Sequence, residues 1–202
     1  MLIIGLTGDV GAGKSTLCKA WAAQGALIID SDQIAKNMWA LPAVQKKAKK
    51  RWGEDFFDED IKKVYAKIAD KIFASDEEYE FVSKLLYAPT TKEIQKQLKR
   101  AKKHSWAVVE MPLLFERGAQ NLFDIVVYAA ATLKKREERN CARNWTKTEL
   151  KRRQAKFLPR KDKMAACDLV LQNAGTQDAW CEKAEKAGKK FIKLAAARKE
   201  SL

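Results

Sequence analysis

Five short apolar runs recur along the chain, each followed by glycine, proline or polar residues. Consecutive apolar residues over so short a length are typical of strands buried on both faces, as the strands of parallel sheets are. We therefore predict five buried strands, at residues 2–6, 27–29, 106–110, 125–128 and 169–171. The pattern favours an α/β fold built on a parallel sheet.

The segments between the strands carry the 3.6-residue period of helices. A helix predicted from about Lys14 to Gln24 ends at Gly25, and with the strands on either side it forms a βαβ unit. Near the end of the chain, an apolar stripe predicts a helix that packs on the sheet. Its members are Trp180, Ala184, Ala187, Phe191 and Leu194.

A long helical tract, about 34–103, separates the second predicted strand from the third. Capping-box patterns at 75–78 and 90–93 each predict a helix start within it. The tract contains neither a linker nor a repeat, so we interpret it as a helical insertion. We expect one domain, with a core at 1–33, 104–133 and 164–202 and a separate basic segment at about 134–163.

The composition, 47% hydrophobic and 33% charged, is that of a soluble globular protein. No apolar run reaches the roughly 18 residues that a membrane span needs, so no membrane partner is expected. The four cysteines lack CxxC spacing, which favours free thiols and a cytoplasmic location. The oligomeric state is left open between a monomer and a weak homo-oligomer.

The net charge of +14 is concentrated in the basic segment. Residues 134–163 hold thirteen lysines and arginines against four acidic residues, a local charge of +9. Such a charge indicates a polyanionic partner, either a nucleotide carrying several phosphates or a nucleic acid, although a solvated helix face is also possible.

The segment Gly-Asp-Val-Gly-Ala-Gly-Lys-Ser-Thr directly follows the first predicted strand and matches the Walker A pattern in full. Its glycines allow positive φ and close approach to an anion, so that main-chain amides converge on a β-phosphate. We expect Lys14 to reach the β- and γ-phosphates, Ser15 to bind Mg²⁺ and Thr16 to lie near the α-phosphate. The predicted nucleotide-binding residues are Gly8, Val10, Gly11, Ala12, Gly13, Lys14, Ser15 and Thr16.

The phosphate acceptor is either water, as in a GTPase or ATPase, or an organic group, as in a small-molecule kinase. The chain has no Asn-Lys-x-Asp guanine signature and no Asp-Glu pair of the helicase type. The third strand ends instead in Glu110, which is either a carboxylate that holds Mg²⁺ through water or an ordinary strand-end residue.

Two acidic residues, Asp30 and Asp32, follow the second predicted strand. Ligands of open parallel sheets bind beyond the carboxyl ends of the strands, so both carboxylates are expected near the phosphate loop. Asp32 would align an attacking hydroxyl first and accept its proton second, because positioning dominates in a loose phosphoryl-transfer transition state. The alternative is that Asp32 only caps a helix beginning at Gln33.

In sequence order, several blocks resemble those of the dephospho-coenzyme A kinase family over nearly the whole chain. The blocks are Gly5–Ser15, Ile29–Lys36, Ile72–Ala74, Pro112–Glu116, Gln154, Lys163, Cys167–Val170 and Asn173–Gly175. The first block, Asp30-x-Asp32 and Pro-Leu-Leu-Phe-Glu are the most specific when taken together.

The resemblance implies a three-layer P-loop kinase fold and transfer of the γ-phosphate of ATP, with Mg²⁺, to the ribose 3′-hydroxyl of dephospho-CoA. The helical insertion would be the CoA-binding lobe, and the basic segment a lid over ATP. By this resemblance Lys14, Asp32, Arg139 and Arg143 are the catalytic residues, and Arg143 and Asn173 contact ATP. By the same resemblance, the residues that contact the acceptor are Asp30, Asp32, Pro112, Leu113 and Leu114. The residues that hold the metal are Ser15, Asp32 and Glu110.

The chain departs from the family pattern in three places. Tyr87-Ala88-Pro89 stands where Leu-His-Pro is common, Val64-Tyr65-Ala66 stands near an expected Asp-Arg pair, and 157–160 are added to the lid. Two rival functions remain: another small-molecule or nucleoside monophosphate kinase of this fold, and a nucleotide-gated nucleic-acid-binding protein. We expect no specific nucleic-acid partner.

Overall fold

A computed structural model describes residues 1–101, 103–141 and 157–200. The chain divides into two compact units, the first formed by Met1–Asp30 with Gln97–Leu202 and the second by Ser31–Lys96. The predicted insertion at about 34–103 overlaps the second unit. Within the described ranges, no helix is both long and apolar enough to cross a membrane.

The elements alternate between strand and helix at both ends of the chain, as the apolar runs predict. In chain order they are β1 (Leu2–Gly8), α1 (Lys14–Ala23), β2 (Leu27–Asp30), α2 (Ser31–Met38), α3 (Pro42–Trp52), α4 (Ile61–Ala74), α5 (Asp76–Arg100), β3 (Trp106–Glu110), β4 (Ile125–Ala130), α6 (Leu133–Cys141), α7 (Arg160–Ala165), β5 (Leu169–Gln172) and α8 (Gln177–Glu200). Short 3-10 turns lie at Glu54–Phe57 and Gln120–Leu122.

The five predicted strands form one parallel sheet in the order β2-β3-β1-β4-β5. The central strand β1 lies between β3 and β4, which come later in the chain. Because parallel strands end at the same edge, the loop after β1 opens at the point where the strand order reverses. This is where open α/β sheets bind ligands.

One face of the sheet is covered by α1 and α8 through a core that includes Trp21, Trp106 and Phe191. The predicted stripe of α8 is buried except at Leu194, which is 48% exposed, and Ala195 takes its place. The prediction for Leu194 is wrong because the last step of the buried stripe is four residues rather than three. On the opposite face of the sheet, Phe123 and Leu114 pack closely over Gly5. A Cβ at Gly5 would lie 2.6 Å from Phe123 Cδ2 and 2.8 Å from Leu114 Cδ1.

The second unit is helical and has a core of its own. The core is formed by Trp39, Val44, Ala48, Phe56, Val64, Ile68 and Val82. The predicted start of α5 is confirmed, because Ser75 Oγ accepts from the main-chain nitrogens of Glu77 and Glu78 at 3.2 and 3.4 Å. The start predicted at 90–93 is wrong: α5 continues through Pro89, and Thr90 is buried instead of capping a helix.

Glu78 ties α5 to the end of α3. Its carboxylate accepts from Arg51 Nε at 2.8 Å and from Trp52 Nε1 at 2.7 Å. Burial alone would raise the pKa of Glu78, but the hydrogen bonds from Trp52 and Arg51 hold it below the ordinary value of 4.5. The ionised form is therefore favoured in the folded protein, which makes this contact dependent on pH.

We expect Glu78→Gln to lower the free energy of unfolding by about 1 kcal/mol at pH 7. Because the folded pKa lies below the unfolded one, the contribution is present above the unfolded pKa and is lost as pH falls through the folded pKa. Urea unfolding of the wild type and the variant between pH 7 and pH 3 measures the difference. The control is Glu77→Gln, an exposed acid in the same helical turn. A difference that does not shrink toward pH 3 would contradict the carboxylate's role.

Candidate active site

The phosphate loop leaves β1 at Gly8, whose φ is 144°. A Cβ on Gly8 would lie 2.7 Å from the main-chain nitrogen of Ala129, so only glycine fits against the neighbouring strand β4. The side chain of Lys14 returns to this first turn, where its Nζ donates to the carbonyl oxygens of Gly8 at 3.4 Å and Asp9 at 3.2 Å. A positive charge therefore lies beside the start of the loop.

The end of the loop is held at its carbonyl groups. Asn173 Nδ2 donates to Ala12 O at 2.8 Å, and Trp180 Nε1 donates to Gly13 O at 3.1 Å. Gly13 has a φ of 92°, and a Cβ there would lie 2.7 Å from Trp180 Nε1 and 2.8 Å from Asn173 Nδ2. These contacts occupy the carbonyl groups of Ala12 and Gly13, while the main-chain nitrogens of Asp9 and Ala12 donate to Ala129 O and Asp9 O.

Arg139 reaches the same loop from α6. Its Nη1 donates to Gly11 O at 3.1 Å and its Nη2 to Asn173 Oδ1 at 3.2 Å. Arg139 and Asn173, which the sequence places 34 residues apart, thus meet at the phosphate loop. Arg143, the other predicted arginine, lies outside the described residues, as does Gln154.

Helix α1 begins directly after Gly13, and within the described part of the chain no side chain caps its first turn. The main-chain nitrogens of Thr16 and Leu17 donate to Gly13 O, and the helix dipole makes this end favourable for an anion. Ser15 is exposed on this turn, and Thr16 Oγ1 accepts from Gln177 Nε2 at 3.5 Å. The Walker A pattern predicts that the Ser15 hydroxyl binds the metal, and the sequence predicts that Thr16 lies near the α-phosphate.

Two carboxylates lie side by side at the carboxyl ends of β2 and β3. Asp30 and Glu110 are register partners across these strands. Cys18 Sγ donates to Glu110 Oε2 at 3.4 Å, and burial together with the charge of Glu110 raises the pKa of the Cys18 thiol. The thiol therefore stays protonated and acts as a hydrogen-bond donor rather than a nucleophile.

Asp32 lies in the first turn of α2, in the second unit. This helix begins at Ser31, so Asp32 does not precede a helix starting at Gln33 as the capping interpretation requires. In the residues that the structure describes, no group of three or more His, Cys, Asp or Glu side chains could by itself hold a metal ion.

The block at 112–114 follows β3. The main-chain nitrogen of Met111 donates to Leu6 O at 2.9 Å, and Thr7 Oγ1 donates to Pro112 O at 3.0 Å, so the block is attached to β1. Pro112 and Leu113 are half-buried, whereas Leu114 is completely buried. Leu114 therefore supports the block from the core.

Asp9 was not identified from the sequence, although it lies inside the Walker A segment. Its carboxylate accepts from Tyr128 Oη at 2.8 Å and from the main-chain nitrogen of Ala131 at 3.2 Å. It also pairs with Arg160, whose Nε lies 3.2 and 3.0 Å from the two oxygens, and with Arg136 at 3.5 Å. Burial, then the charge of Asp9, raises the pKa of Tyr128, so the phenol remains a donor.

A family model described as Dephospho-CoA kinase matches residues 2–178. A dephospho-CoA kinase of Corynebacterium glutamicum is 32% identical over 181 residues, which are 87% of this chain and 90% of the relative.

Solved structures share the fold. A crystal structure from Thermus thermophilus matches with a TM-score of 0.81 at 24% identity, covering 95% of this chain and 97% of the other. A dephospho-CoA kinase from Campylobacter jejuni matches with a TM-score of 0.68 at 19% identity and the same coverage. The fold is therefore that of the P-loop kinases, with helices flanking a parallel sheet.

Proposed function

The chain belongs to the dephospho-CoA kinase family, and we propose that its phosphate loop, basic segment and strand-end carboxylates together perform the family's reaction. The protein is a kinase that phosphorylates the ribose 3′-hydroxyl of dephospho-CoA with ATP and yields coenzyme A, the last step of its biosynthesis. The observation that supports the assigned site best is the phosphate loop, whose carbonyls are tied down and whose lysine lies at its first turn.

Binding of the ATP phosphates is assigned to the loop from Gly8 to Thr16. Its amides and the start of α1 would surround the β-phosphate, while Lys14 would exchange its carbonyl partners for β- and γ-phosphate oxygens. Arg139, held against Gly11, would neutralise charge that develops during transfer. We assign Arg143 to the same task on the basis of family resemblance.

The donor set suits Mg²⁺. This ion prefers oxygen ligands and is usually held by one or two carboxylates together with substrate phosphates and water. Ser15 and the adjacent pair Asp30 and Glu110 supply such oxygens, with Asp32 as a further carboxylate. When bound, the ion would offset charge on the phosphate oxygens. These residues would orient it beside the loop.

Alignment of the acceptor is assigned to Asp32, with Asp30, Pro112 and Leu113 helping to hold dephospho-CoA and the completely buried Leu114 supporting them from the core. Asp32 would accept a hydrogen bond from the 3′-hydroxyl and direct its oxygen toward the γ-phosphate. The proton would pass to Asp32 as the new bond forms. Closure of the basic lid would exclude water, because an open site would hydrolyse ATP.

We expect Asp32→Asn to lower kcat about a hundredfold and to change the KM for ATP less than about threefold. The amide keeps the shape but loses the charge that aligns the hydroxyl. Steady-state kinetics with dephospho-CoA and ATP measure both constants. Asp178→Asn is the matched control, since Asp178 is an exposed acid in the first turn of α8. A large defect in the KM for ATP with normal kcat would refute the aligning role.

The substrate is tested by ADP release from ATP in the presence of dephospho-CoA, a nucleoside monophosphate or a sugar, each at the same concentration. Of the acceptors tested, we expect only dephospho-CoA to give ADP release above background. Release only with another acceptor would favour a different kinase of this fold. Tight, sequence-dependent oligonucleotide binding at physiological salt would favour the nucleic-acid function, whereas weak, steeply salt-dependent binding would reflect charge alone.

The basic segment at about 134–163 is proposed as the lid and the helical tract at about 34–103 as the CoA-binding lobe. A cytoplasmic location and a monomeric or weakly associating state complete the proposal. Sedimentation at micromolar concentration tests the oligomeric state.

A further inference from the structure

Asp9 places a buried negative charge in a loop built to bind phosphate. Its side chain is only 4% exposed, and the donors around it are Tyr128, the main-chain nitrogen of Ala131, Arg136 and Arg160. A carboxylate at this position repels a nucleotide unless its charge is offset. The number and source of the positive charges around it therefore matter.

Two guanidinium groups share this one carboxylate. Arg136 lies on α6 and Arg160 on α7, near the two ends of the basic segment. The side chain of Arg136 is 11% exposed, and its Nε has no hydrogen-bond partner within the described residues. Arg160 is 44% exposed. One carboxylate cannot offset two arginines, so this cluster carries a net charge of +1.

The excess charge faces a cavity of about 190 Å³ at the start of the loop. Its lining includes Gly8, Val10, Arg136, Arg160 and Lys163. Lys163 adds little to the field there because Glu116 accepts from its Nζ at 2.9 Å. Among the residues that line this cavity, the two arginines around Asp9 are thus the main source of positive charge. Lys14 and Arg139 add their charges at other points of the loop.

We propose that Asp9 is a positioning residue that holds Arg136 and Arg160 beside the phosphate loop. Its carboxylate sets the net charge of this three-residue cluster to +1 for a bound nucleoside triphosphate. The inference rests on the proposed function, since it concerns ATP at the same loop. Asp9 also lines the cavity, and in this proposal it acts through the two arginines rather than as a phosphate ligand. It acts by keeping both guanidinium groups at the first turn and by limiting their attraction, so that the ADP product can still leave.

The sign of each charge change gives a distinct expectation. Arg160→Gln leaves Asp9 with Arg136 alone and a cluster charge of zero, which weakens MgATP binding about tenfold. Asp9→Asn leaves two unopposed arginines, which tightens MgATP and MgADP binding about threefold and lowers kcat through slower ADP release. The double variant returns the cluster to +1 and binds MgATP within about threefold of the wild type.

The test is isothermal titration of MgATP and MgADP into the wild-type full-length protein, the two single variants and the double variant, with kcat and KM for ATP measured alongside. Lys161→Gln is the control for loss of one exposed positive charge next to Arg160. Because the titration needs no acceptor, a wild type that binds MgATP but does not phosphorylate dephospho-CoA refutes the proposed function and leaves this inference standing.

The decisive comparison is whether adding Asp9→Asn to Arg160→Gln restores MgATP binding. A double variant that binds MgATP at least about threefold more tightly than Arg160→Gln supports the proposal, because with a purely structural role Asp9→Asn would itself weaken binding and could not restore it. A double variant that binds no better than Arg160→Gln overturns it. If Asp9→Asn fails to fold, Arg160→Lys replaces it in the comparison: binding at least about threefold tighter than that of Arg160→Gln supports the charge role, and equal binding overturns it.

Discussion

Lys14→Met is expected to lower kcat for phosphate transfer to dephospho-CoA about a thousandfold. The ammonium of Lys14 lies at the first turn of the loop, bonded to the carbonyls of Gly8 and Asp9. From there it can neutralise the negative charge that develops on the β-γ bridging oxygen as the γ-phosphate leaves. Methionine fills similar space but carries no charge, so the transition state loses more than the ground state does.

Steady-state ADP release measures this effect, and thermal unfolding shows whether the variant keeps its fold. Lys19→Met is the matched control, because Lys19 is an exposed lysine on the same helix. We expect it to retain wild-type kcat. A loss smaller than about tenfold for Lys14→Met would mean that another group neutralises the transferred phosphate.

Lys163→Met is expected to lower the free energy of unfolding by about 4 kcal/mol. Lys163 and Glu116 form a buried ion pair, with side chains that are 4% and 9% exposed and a distance of 2.9 Å. The ammonium also lies 4.8 Å from the centre of the Phe157 ring. Without it, Glu116 keeps only the Leu158 amide on one oxygen, and its Oε2 is already buried without a partner in the described residues.

The size of the loss depends on which charge remains. Lys163→Met combined with Glu116→Gln removes the stranded charge, so we expect it to be less destabilising than Lys163→Met alone. Urea unfolding of the three proteins measures the difference, with exposed Lys161→Met as the control. A loss below about 1 kcal/mol for Lys163→Met would show that water reaches Glu116.

The strands and the phosphate loop could be predicted because their signals are local. An apolar run between turn residues has few alternatives to a buried strand, and all five predicted strands are present. The glycines of the loop are needed for positive φ and close packing, as Gly8 and Gly13 show. The false helix start at 90–93 has the opposite cause: a capping hydroxyl acts only where the helix begins, and packing of α5 continues the helix through it.

The sequence by itself determined the parallel strands, the phosphate-loop pattern at the mouth of the sheet and the family to which the chain belongs. Tertiary structure alone decided which distant side chains hold that loop. Asn173, Trp180 and Arg139 meet its carbonyls, and Asp9 gathers arginines from both sides of the basic segment. Such contacts join residues more than a hundred positions apart, so they depend on the order of the strands, which no local pattern of polar and apolar residues encodes.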